Sequence, residues 1–433
     1  MKLPSSLEIS NFIRFNLFNP FFYKDKISSA VDNPEQFKKA IWIAVLLRFM
    51  WFFFIGHSDL EIYKYWMIFL KDLPIFSSYN IPTYAEFDVL PLTAIILKIV
   101  TSIIELIPNG INIPGFAYTG IRFANLLIEA GCIYLLHKEL KNPFITFFLL
   151  FNPASILDGY LWGQMDVTYT LLFVLSLVYF LGRKPLLSGL FIGLSIAFKT
   201  QTLLFLPLFG LIILIRKENW ASFFRLVSVA LIITSTLYLP FMLGGKEFWA
   251  PVMVSFTAYG RYDFISVNAL NIWWGMFAQY DLQFPDNHAL VFGLISRRHF
   301  ALSCFAVVYS LILIKTLKIK LNNENIFRLF SILCFSYFML LPEMHERYLY
   351  PFFIFYVFVL RKDKTWYVLF WLVNAFYAFN LLYGGWLAWS GLRTITFFNI
   401  SIVASYVIFL VWMYYIFTEM RVLKTSSQLK NQE

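Results

Sequence analysis

Two acidic residues follow the first long apolar stretch of this sequence. Asp59 and Glu61 stand two positions apart after the apolar run 40–56. A carboxylate placed there can act as a general base on a hydroxyl group, and two carboxylates so close can hold a divalent cation. A solvated loop with interfacial aromatic residues explains the same pattern and is the more common case. Asp59 is therefore a candidate base, and a cation held by Asp59 and Glu61 stays open.

A second polar group interrupts the middle of the chain. Trp162, Gln164 and Asp166 lie between two apolar runs, and Lys199 separates the runs 185–198 and 201–215. Ionisable residues at membrane depth are functional candidates, and a lone lysine on the outer side of a membrane suits a phosphate. Asp166 as a helix N-cap and Lys199 reaching out to lipid headgroups explain the two charges equally well.

Two further polar stretches stand later in the sequence. Asn268, Asn271 and Trp273 suit a sugar, since indole rings stack on sugar faces and amides bond hydroxyls, but an interfacial aromatic belt uses the same residues. His345 and Arg347 belong to a run with four ionisable groups in five positions between two apolar stretches. Such charges are costly unless they are paired. One interpretation is that these residues bind a phosphate, with the arginine guanidinium donating two parallel hydrogen bonds. The other is a turn whose own acidic and basic side chains neutralise each other.

The amino-acid composition indicates whether these residues lie in a soluble protein or in a membrane protein. The chain has 433 residues, of which 60% are hydrophobic and only 14% charged. Soluble domains carry about 25% charged residues. This chain therefore has too few polar residues to form the surfaces of several soluble domains. The three cysteines show no metal spacing, and no nucleotide-binding motif is present. The sequence predicts an all-α polytopic membrane protein.

Lysine and arginine clusters between the apolar runs predict the topology. If every cluster faces the cytoplasm, the chain has about 12 transmembrane helices, and both termini are cytoplasmic. The run 89–107 then becomes a juxtamembrane helix on the outer side. One integral-membrane domain covers 1–433. Its parts are a cytoplasmic N-terminal segment 1–39, a first outer loop 57–118, a long outer loop 243–299 and a cytoplasmic tail 418–433.

Five motifs together resemble the GT-C superfamily of glycosyltransferases, and in particular bacterial multi-spanning mannosyltransferases related to the glycosylphosphatidylinositol mannosyltransferases. The motifs run in family order over most of the chain. They are His57-Ser58-Asp59 with Tyr63 and Trp66; Asn152-Pro153 through Trp162-Gly163-Gln164-Met165-Asp166; Lys199-Thr200-Gln201; Ser266 through Trp273; and Met344-His345-Glu346-Arg347-Tyr348.

The resemblance implies an inverting transfer of a monosaccharide, mannose in the nearest families, from a polyprenyl phosphate to a glycan or glycolipid acceptor. The transfer would occur on the extracytoplasmic face of the plasma or inner membrane. Asp59 would be the catalytic base. We expect Lys199, His345 and Arg347 to bind the donor phosphate. We expect the sugar or acceptor to contact Trp162, Gln164, Asp166, Asn268, Asn271 and Trp273.

The partners expected are the lipid-linked sugar, the bilayer and the acceptor, without nucleic acid and without a cofactor, although a divalent cation stays open. A lipid-linked glycan flippase or secondary transporter is the alternative function. Such proteins place charges at the midplane and often contain internal repeats, whereas the polar residues here are predicted to gather on one face.

Overall fold

The computed structural model describes residues 33–52, 54, 58–80, 87–216, 219–257, 262–280, 285–360, 364–387 and 394–423, and it is mostly helical. The helices are α1 Pro34–Phe49, α2 Ser58–Asp72, α3 Pro91–Ile104, α4 Phe116–Leu140, α5 Pro143–Leu150, α6 Pro153–Ile156, α7 Asp166–Leu181, α8 Pro185–Phe198, α9 Leu206–Ile215, α10 Trp220–Gly244, α11 Ala250–Thr257, α12 Ile272–Phe277, α13 Arg297–Lys318, α14 Asn323–Leu340, α15 Tyr350–Val357, α16 Lys364–Leu382 and α17 Ile395–Val422.

Five helices in the described part of the chain are long and apolar enough to cross a membrane. They are Phe116–Leu140, Trp220–Gly244, Arg297–Lys318, Thr365–Gly385 and Ile395–Val422. A sixth span is possible if Pro143–Leu150 and Pro153–Trp162, which bend by 42°, form one. Four other apolar helices are shorter than 18 residues, and a helix of 16 residues is only about 24 Å long. Twelve spans therefore stay a prediction.

The first helix begins earlier than the apolar run predicts. Asn33 accepts hydrogen bonds from the backbone N–H groups of Glu35 and Gln36, and Pro34 occupies the first helical turn. Both features start a helix. The helix Pro34–Phe49 thus includes part of the predicted segment 1–39, of which residues 1–32 lie outside the described residues.

The centre of the molecule is formed by α7, α14 and α15, which are buried along almost their whole length. Aromatic rings join them: Phe173 of α7 packs against Phe330 of α14 and Phe355 of α15 at centroid distances of 5.2 and 6.1 Å. The helix α8 approaches α10 closely at Gly189, where a Cβ atom would lie 2.4 Å from the Leu226 carbonyl oxygen. Small residues permit such contacts between membrane helices.

Helix breaks collect at one end of this core. The π-helical turn Leu157–Trp162 stops at Gly163, whose φ of +83° suits glycine, and α7 starts at Asp166. At the same end α8 stops at Phe198, and Lys199 has an extended backbone, with a φ of −154° and a ψ of 138°. Its side chain contacts Asp166. Two short strands, β1 Ser266–Val267 and β4 Met344–His345, pair in parallel. These breaks bring loop residues from distant parts of the sequence together.

The remaining strands form a small antiparallel hairpin within the outer loop predicted at 243–299. Strand β2 Leu290–Val291 pairs with β3 Ile295–Ser296. The hairpin leads directly into α13, whose N-terminus is capped by the Ser296 side chain bonding the His299 N–H. The loop is therefore partly structured in its described residues.

Candidate active site

A cavity of about 210 Å³ lies at the end of the core where the helix breaks gather. Asp59, Gln164, Lys199, His345 and Arg347, five of the residues singled out from the sequence, line it together. They come from four separate stretches of the chain. The sequence predicts that these stretches converge, and the cavity lining contains a residue from each of them. They are the first loop, the break at 164–166, the break at Lys199 and the turn 345–347.

Helix α2 supplies the acidic wall. Asp59, Ile62, Tyr63 and Trp66 face the cavity, at the i, i+3, i+4, i+7 spacing that places residues on one helix face. Glu61 falls on another face, where it is exposed and accepts a hydrogen bond from Tyr118. Asp59 lines the cavity and Glu61 does not, because positions i and i+2 of a helix point in different directions. A cation held by both carboxylates stays a prediction.

The Asp59 carboxylate is held by two donors. Gln164 donates from Nε2 to Asp59 Oδ2 at 2.7 Å, and Arg347 Nη1 lies 3.1 Å from the same oxygen. Asn125 Nδ2 donates to the Gln164 carbonyl oxygen at 3.0 Å and so fixes its backbone. The carboxylate therefore has a defined place on the cavity wall.

Tyr63 decides which way the Gln164 amide points. Its hydroxyl donates to Gln164 Oε1 at 3.0 Å. Burial and the nearby charge of Asp59 raise the pKa of the Tyr63 hydroxyl well above its usual value, so the hydroxyl stays protonated and acts as a donor. The amide oxygen must then face Tyr63, and its NH₂ group faces Asp59.

Lys199 and Arg347 form the cationic wall, with a buried acid behind it. Asp166 is 1% exposed, contacts Lys199 Nζ, and lies 3.6 Å from Arg347 Nε. The Tyr348 ring lies beside both cations, 5.5 Å from Lys199 Nζ and 5.3 Å from Arg347 Cζ. Asp166 therefore orients the two cations from behind.

The position of Arg347 is further set by a tyrosine and a glutamate. Glu346 Oε1 lies 2.9 Å from Arg347 Nη1, and the Tyr377 hydroxyl donates to the Arg347 carbonyl oxygen at 3.3 Å. Burial lowers the pKa of the guanidinium, but the Asp59 and Glu346 carboxylates raise it by more. Arg347 is thus a permanent cation on the cavity wall.

His345 reaches the cavity through strand β4. Its ring meets Tyr262 edge-on at 5.2 Å and Tyr348 at 5.0 Å. The pairing of Val267 with His345 in the parallel ladder fixes the backbone at this point. His345 accordingly occupies the wall next to Arg347, as the sequence motif predicts.

The predicted sugar contacts at Asn268, Asn271 and Trp273 are not on the cavity wall. The Asn268 backbone has a φ of +60°, and its carbonyl oxygen accepts from Asn380 Nδ2 at 2.6 Å. Asn271 caps α12 and donates to the Phe338 carbonyl oxygen, and Trp273 Nε1 donates to that of Leu340 at 2.8 Å. The side chains of Asn271 and Trp273 thus bind backbone groups of the core.

Trp162 is also fully buried and away from the cavity lining. It precedes the left-handed Gly163, where a Cβ atom would approach the Leu60 side chain to 2.6 Å. The Trp162–Gly163 pair therefore shapes the contact between this break and α2. Like the three residues above, Trp162 lies outside the cavity lining.

Sequence reasoning missed several lining residues. Tyr63 and Trp66 could have been found from their helical spacing to Asp59, and Tyr348 from its place beside Arg347. Asp88 also lines the cavity, and its place directly before the apolar run 89–107 could have marked it. Tyr262 lines the cavity too, but nothing in its local sequence marks it. In the described part of the chain, no group of three or more His, Cys, Asp or Glu residues is placed to hold a metal ion.

The comparison with known families adds an independent finding. The model of glycosyltransferase family 87 matches residues 91–342, more than half of the chain, which include Gln164, Asp166 and Lys199. No curated protein shows a significant sequence match. The family match, together with the apolar helices, confirms the resemblance to a GT-C-like membrane glycosyltransferase. The chain belongs to glycosyltransferase family 87.

Proposed function

We propose that this glycosyltransferase moves a monosaccharide from a polyprenyl phosphate to a hydroxyl group of a glycan or glycolipid, with inversion at the anomeric carbon. One observation carries the proposal. A carboxylate, Asp59, shares a cavity wall with two fixed cations, Arg347 at 3.1 Å and Lys199 beside it. A base next to a cationic site is what an activated acceptor and a departing phosphate require.

In the proposed step the acceptor oxygen attacks the anomeric carbon from the face opposite the phosphate. The acceptor proton passes to Asp59, a new carbon–oxygen bond forms, and the bond from the anomeric carbon to the phosphate oxygen breaks. The polyprenyl phosphate leaves with the bonding electron pair. Its phosphate is already a good leaving group, so it needs charge stabilisation rather than a proton.

Lys199, Arg347 and His345 are the groups we assign to that phosphate. Arg347 offers a forked set of donors that matches phosphate oxygens. The guanidinium now contacts Asp59, Asp166 and Glu346, so an arriving phosphate competes with three carboxylates. Contact with the phosphate draws Arg347 away from Asp59, which makes the carboxylate available to the acceptor.

The finer features of the proposal follow from the family resemblance and from the charge pattern. Mannose is the donor sugar to test first. About twelve spans place both termini in the cytoplasm and the cavity on the outer side of the plasma membrane. The short helices α3 and α8, which flank the cavity through Thr93 and Phe198, act in this proposal as a juxtamembrane support and a shortened span.

The flippase or transporter alternative receives less support. The family match is to a glycosyltransferase family, and the charges described here line a cavity at one end of the core rather than its middle. Transfer chemistry accounts for a carboxylate held in place by an oriented amide. A transporter has no need for this arrangement.

Asp59→Asn tests the proposal most directly. We expect it to reduce sugar transfer from polyprenyl-phosphate mannose about 10²- to 10⁴-fold, since the amide cannot accept the acceptor proton. The assay follows radiolabelled sugar in membranes or in purified enzyme. Glu61→Gln is the matched control on the same helix, and it should retain transfer.

Full activity of Asp59→Asn at normal expression contradicts the assignment of the base. Loss of activity in both variants points instead to a general effect on α2. If the wild-type enzyme uses a nucleotide sugar and ignores the lipid-linked donor, the proposed donor is wrong whatever Asp59 does.

A further inference from the structure

The tip of the hairpin 290–296 exposes three large apolar side chains. Leu290 is 61% exposed, Phe292 87% and Leu294 86%, while Val291 between them is buried. A cluster of exposed apolar side chains at one projecting point marks a contact with another apolar phase or molecule. Within the described structure nothing covers this tip.

The backbone of the tip shows that its exposure is built in. The Leu294 N–H donates to the Val291 carbonyl oxygen at 3.1 Å and closes a turn, in which both Phe292 and Gly293 have positive φ values of 53° and 68°. Glycine and asparagine are the usual residues at such positions. An aromatic residue held there, with little contact to the rest of the chain, gains stability only from something outside the protein.

The hairpin stands where a membrane helix begins. Helix α13 has 22 residues, Arg297–Lys318, and is about 33 Å long, enough to cross a hydrocarbon layer of about 30 Å. Its exposed apolar face includes Val307, Leu311 and Leu317. The Arg297 N–H donates to the Ala289 carbonyl oxygen at 2.9 Å, so the base of the hairpin lies at the level where α13 enters the bilayer.

We infer that the tip Leu290, Phe292 and Leu294 inserts into the interfacial region of the lipid bilayer, beside the start of α13. A strand rises about 3.3 Å per residue, so the distance from the end of the helix to the tip is no more than the thickness of the lipid headgroup layer. The adjacent Arg297 and His299 suit lipid phosphates at the same depth. The inference does not depend on the proposed function.

The base of this hairpin is also fixed to the cavity wall. Arg298 pairs with Glu343, and Asn287 Nδ2 lies 3.4 Å from the same carboxylate. The Glu343 N–H donates to the Ile265 carbonyl oxygen at 2.9 Å, and the Tyr262 N–H lies 3.4 Å from Glu343 Oε2. An anchored tip therefore sets the height above the membrane of the loop that carries Tyr262.

Nitroxide labels on the full-length protein in phospholipid nanodiscs test the inference. The label is attached to Phe292→Cys and, separately, to Leu294→Cys, in a chain carrying Cys304→Ser, because the other cysteines, Cys132 and Cys334, are buried. The matched control is Asp263→Cys, whose native side chain is 80% exposed and lies outside the cavity lining.

Collisions of each label with oxygen, which concentrates in lipid, are compared with collisions with a water-soluble nickel chelate. We expect oxygen to dominate at 292 and 294 and nickel to dominate at 263. Nickel-dominated collisions at 292 and 294 overturn the inference. Weak collisions with both reagents also overturn it, because they mean that protein, such as a second copy of the chain, covers the tip.

Discussion

Two arginines of this protein meet carboxylates in different ways. Arg48, within the helix bundle, donates from Nε and Nη2 to the two oxygens of Glu129 at 2.8 and 2.7 Å. Its Nη1 donates to the carbonyl oxygens of Ala44 and Leu150 at 3.1 and 2.8 Å. Every nitrogen of this guanidinium therefore has a partner within the bundle.

Arg347 lies on the cavity wall among several acids instead of facing one. Its contacts are 3.1 Å to Asp59, 3.6 Å to Asp166 and 2.9 Å to Glu346. A forked pair with matched geometry is hard to replace, whereas shared and longer contacts beside a cavity can be exchanged for a ligand. Arg48 thus makes a matched ion pair, and Arg347 makes shared contacts of the kind that the proposed phosphate binding requires.

Arg48→Ala should have the largest effect on stability. It leaves the buried Glu129 carboxylate without its cation, although the Tyr160 hydroxyl still donates to it. The loss costs about 3–5 kcal/mol of unfolding free energy. Thermal unfolding in detergent should show the loss, while transfer activity per folded molecule changes little. Replacing both members, Arg48→Met with Glu129→Leu, should recover most of the stability. Lost activity at unchanged stability would place Arg48 in the site after all.

Arg347→Lys should have the next largest effect, on activity. Lysine keeps the charge but loses the forked donors, so kcat/KM for the donor should fall about 10- to 100-fold while the melting temperature changes little. Steady-state kinetics with varied donor measures this. Arg48→Lys is the matched control, with the opposite outcome of lower stability and near-normal kinetics. Equal behaviour of the two variants would remove the distinction drawn here.

Tyr63→Phe sharpens the picture of the cavity wall. Without the hydroxyl, Gln164 Oε1 loses its donor, and the amide is held less firmly against Asp59. The rate should fall about 10-fold, which corresponds to the free energy of one hydrogen bond. The acidic limb of the pH–rate profile should move to higher pH, because the charged Asp59 carboxylate is held by its donor less firmly. Tyr65→Phe on the same helix is the control, and an unmoved pH profile in Tyr63→Phe would speak against the orienting role.

Trp273→Phe should have the smallest effect. It removes the hydrogen bond to the Leu340 carbonyl oxygen and should cost about 1 kcal/mol of stability, with donor and acceptor KM values within twofold of wild type. Thermal unfolding and kinetics on the same preparation measure both. A large rise in KM would return Trp273 to the substrate site, where the sequence interpretation placed it.

The sequence predicted some features of the site well for a physical reason. Asp59, Gln164, Lys199, His345 and Arg347 are polar residues at breaks in apolar runs, and the cost of burying them makes such residues visible in a one-dimensional pattern. The structure brings these five together. Their chemical roles stay predictions.

The roles of the amides and indoles were less predictable. Asn271 and Trp273 bind backbone groups of α14. An asparagine or tryptophan that binds a ligand has the same residue type as one that binds the backbone, so the sequence does not distinguish the two roles. The number of spans was also uncertain, because a run of apolar residues does not reveal whether its helix is long enough to cross a bilayer.

By itself the sequence determined that this protein belongs in a membrane, that it is helical and where its helices break. These are local properties of composition and spacing. Only the tertiary structure decided that Asp59 meets Gln164 and Arg347 and that Asp166 sits behind Lys199 and Arg347. Those outcomes depend on how helices far apart in the chain pack and rotate against one another, which no single stretch encodes.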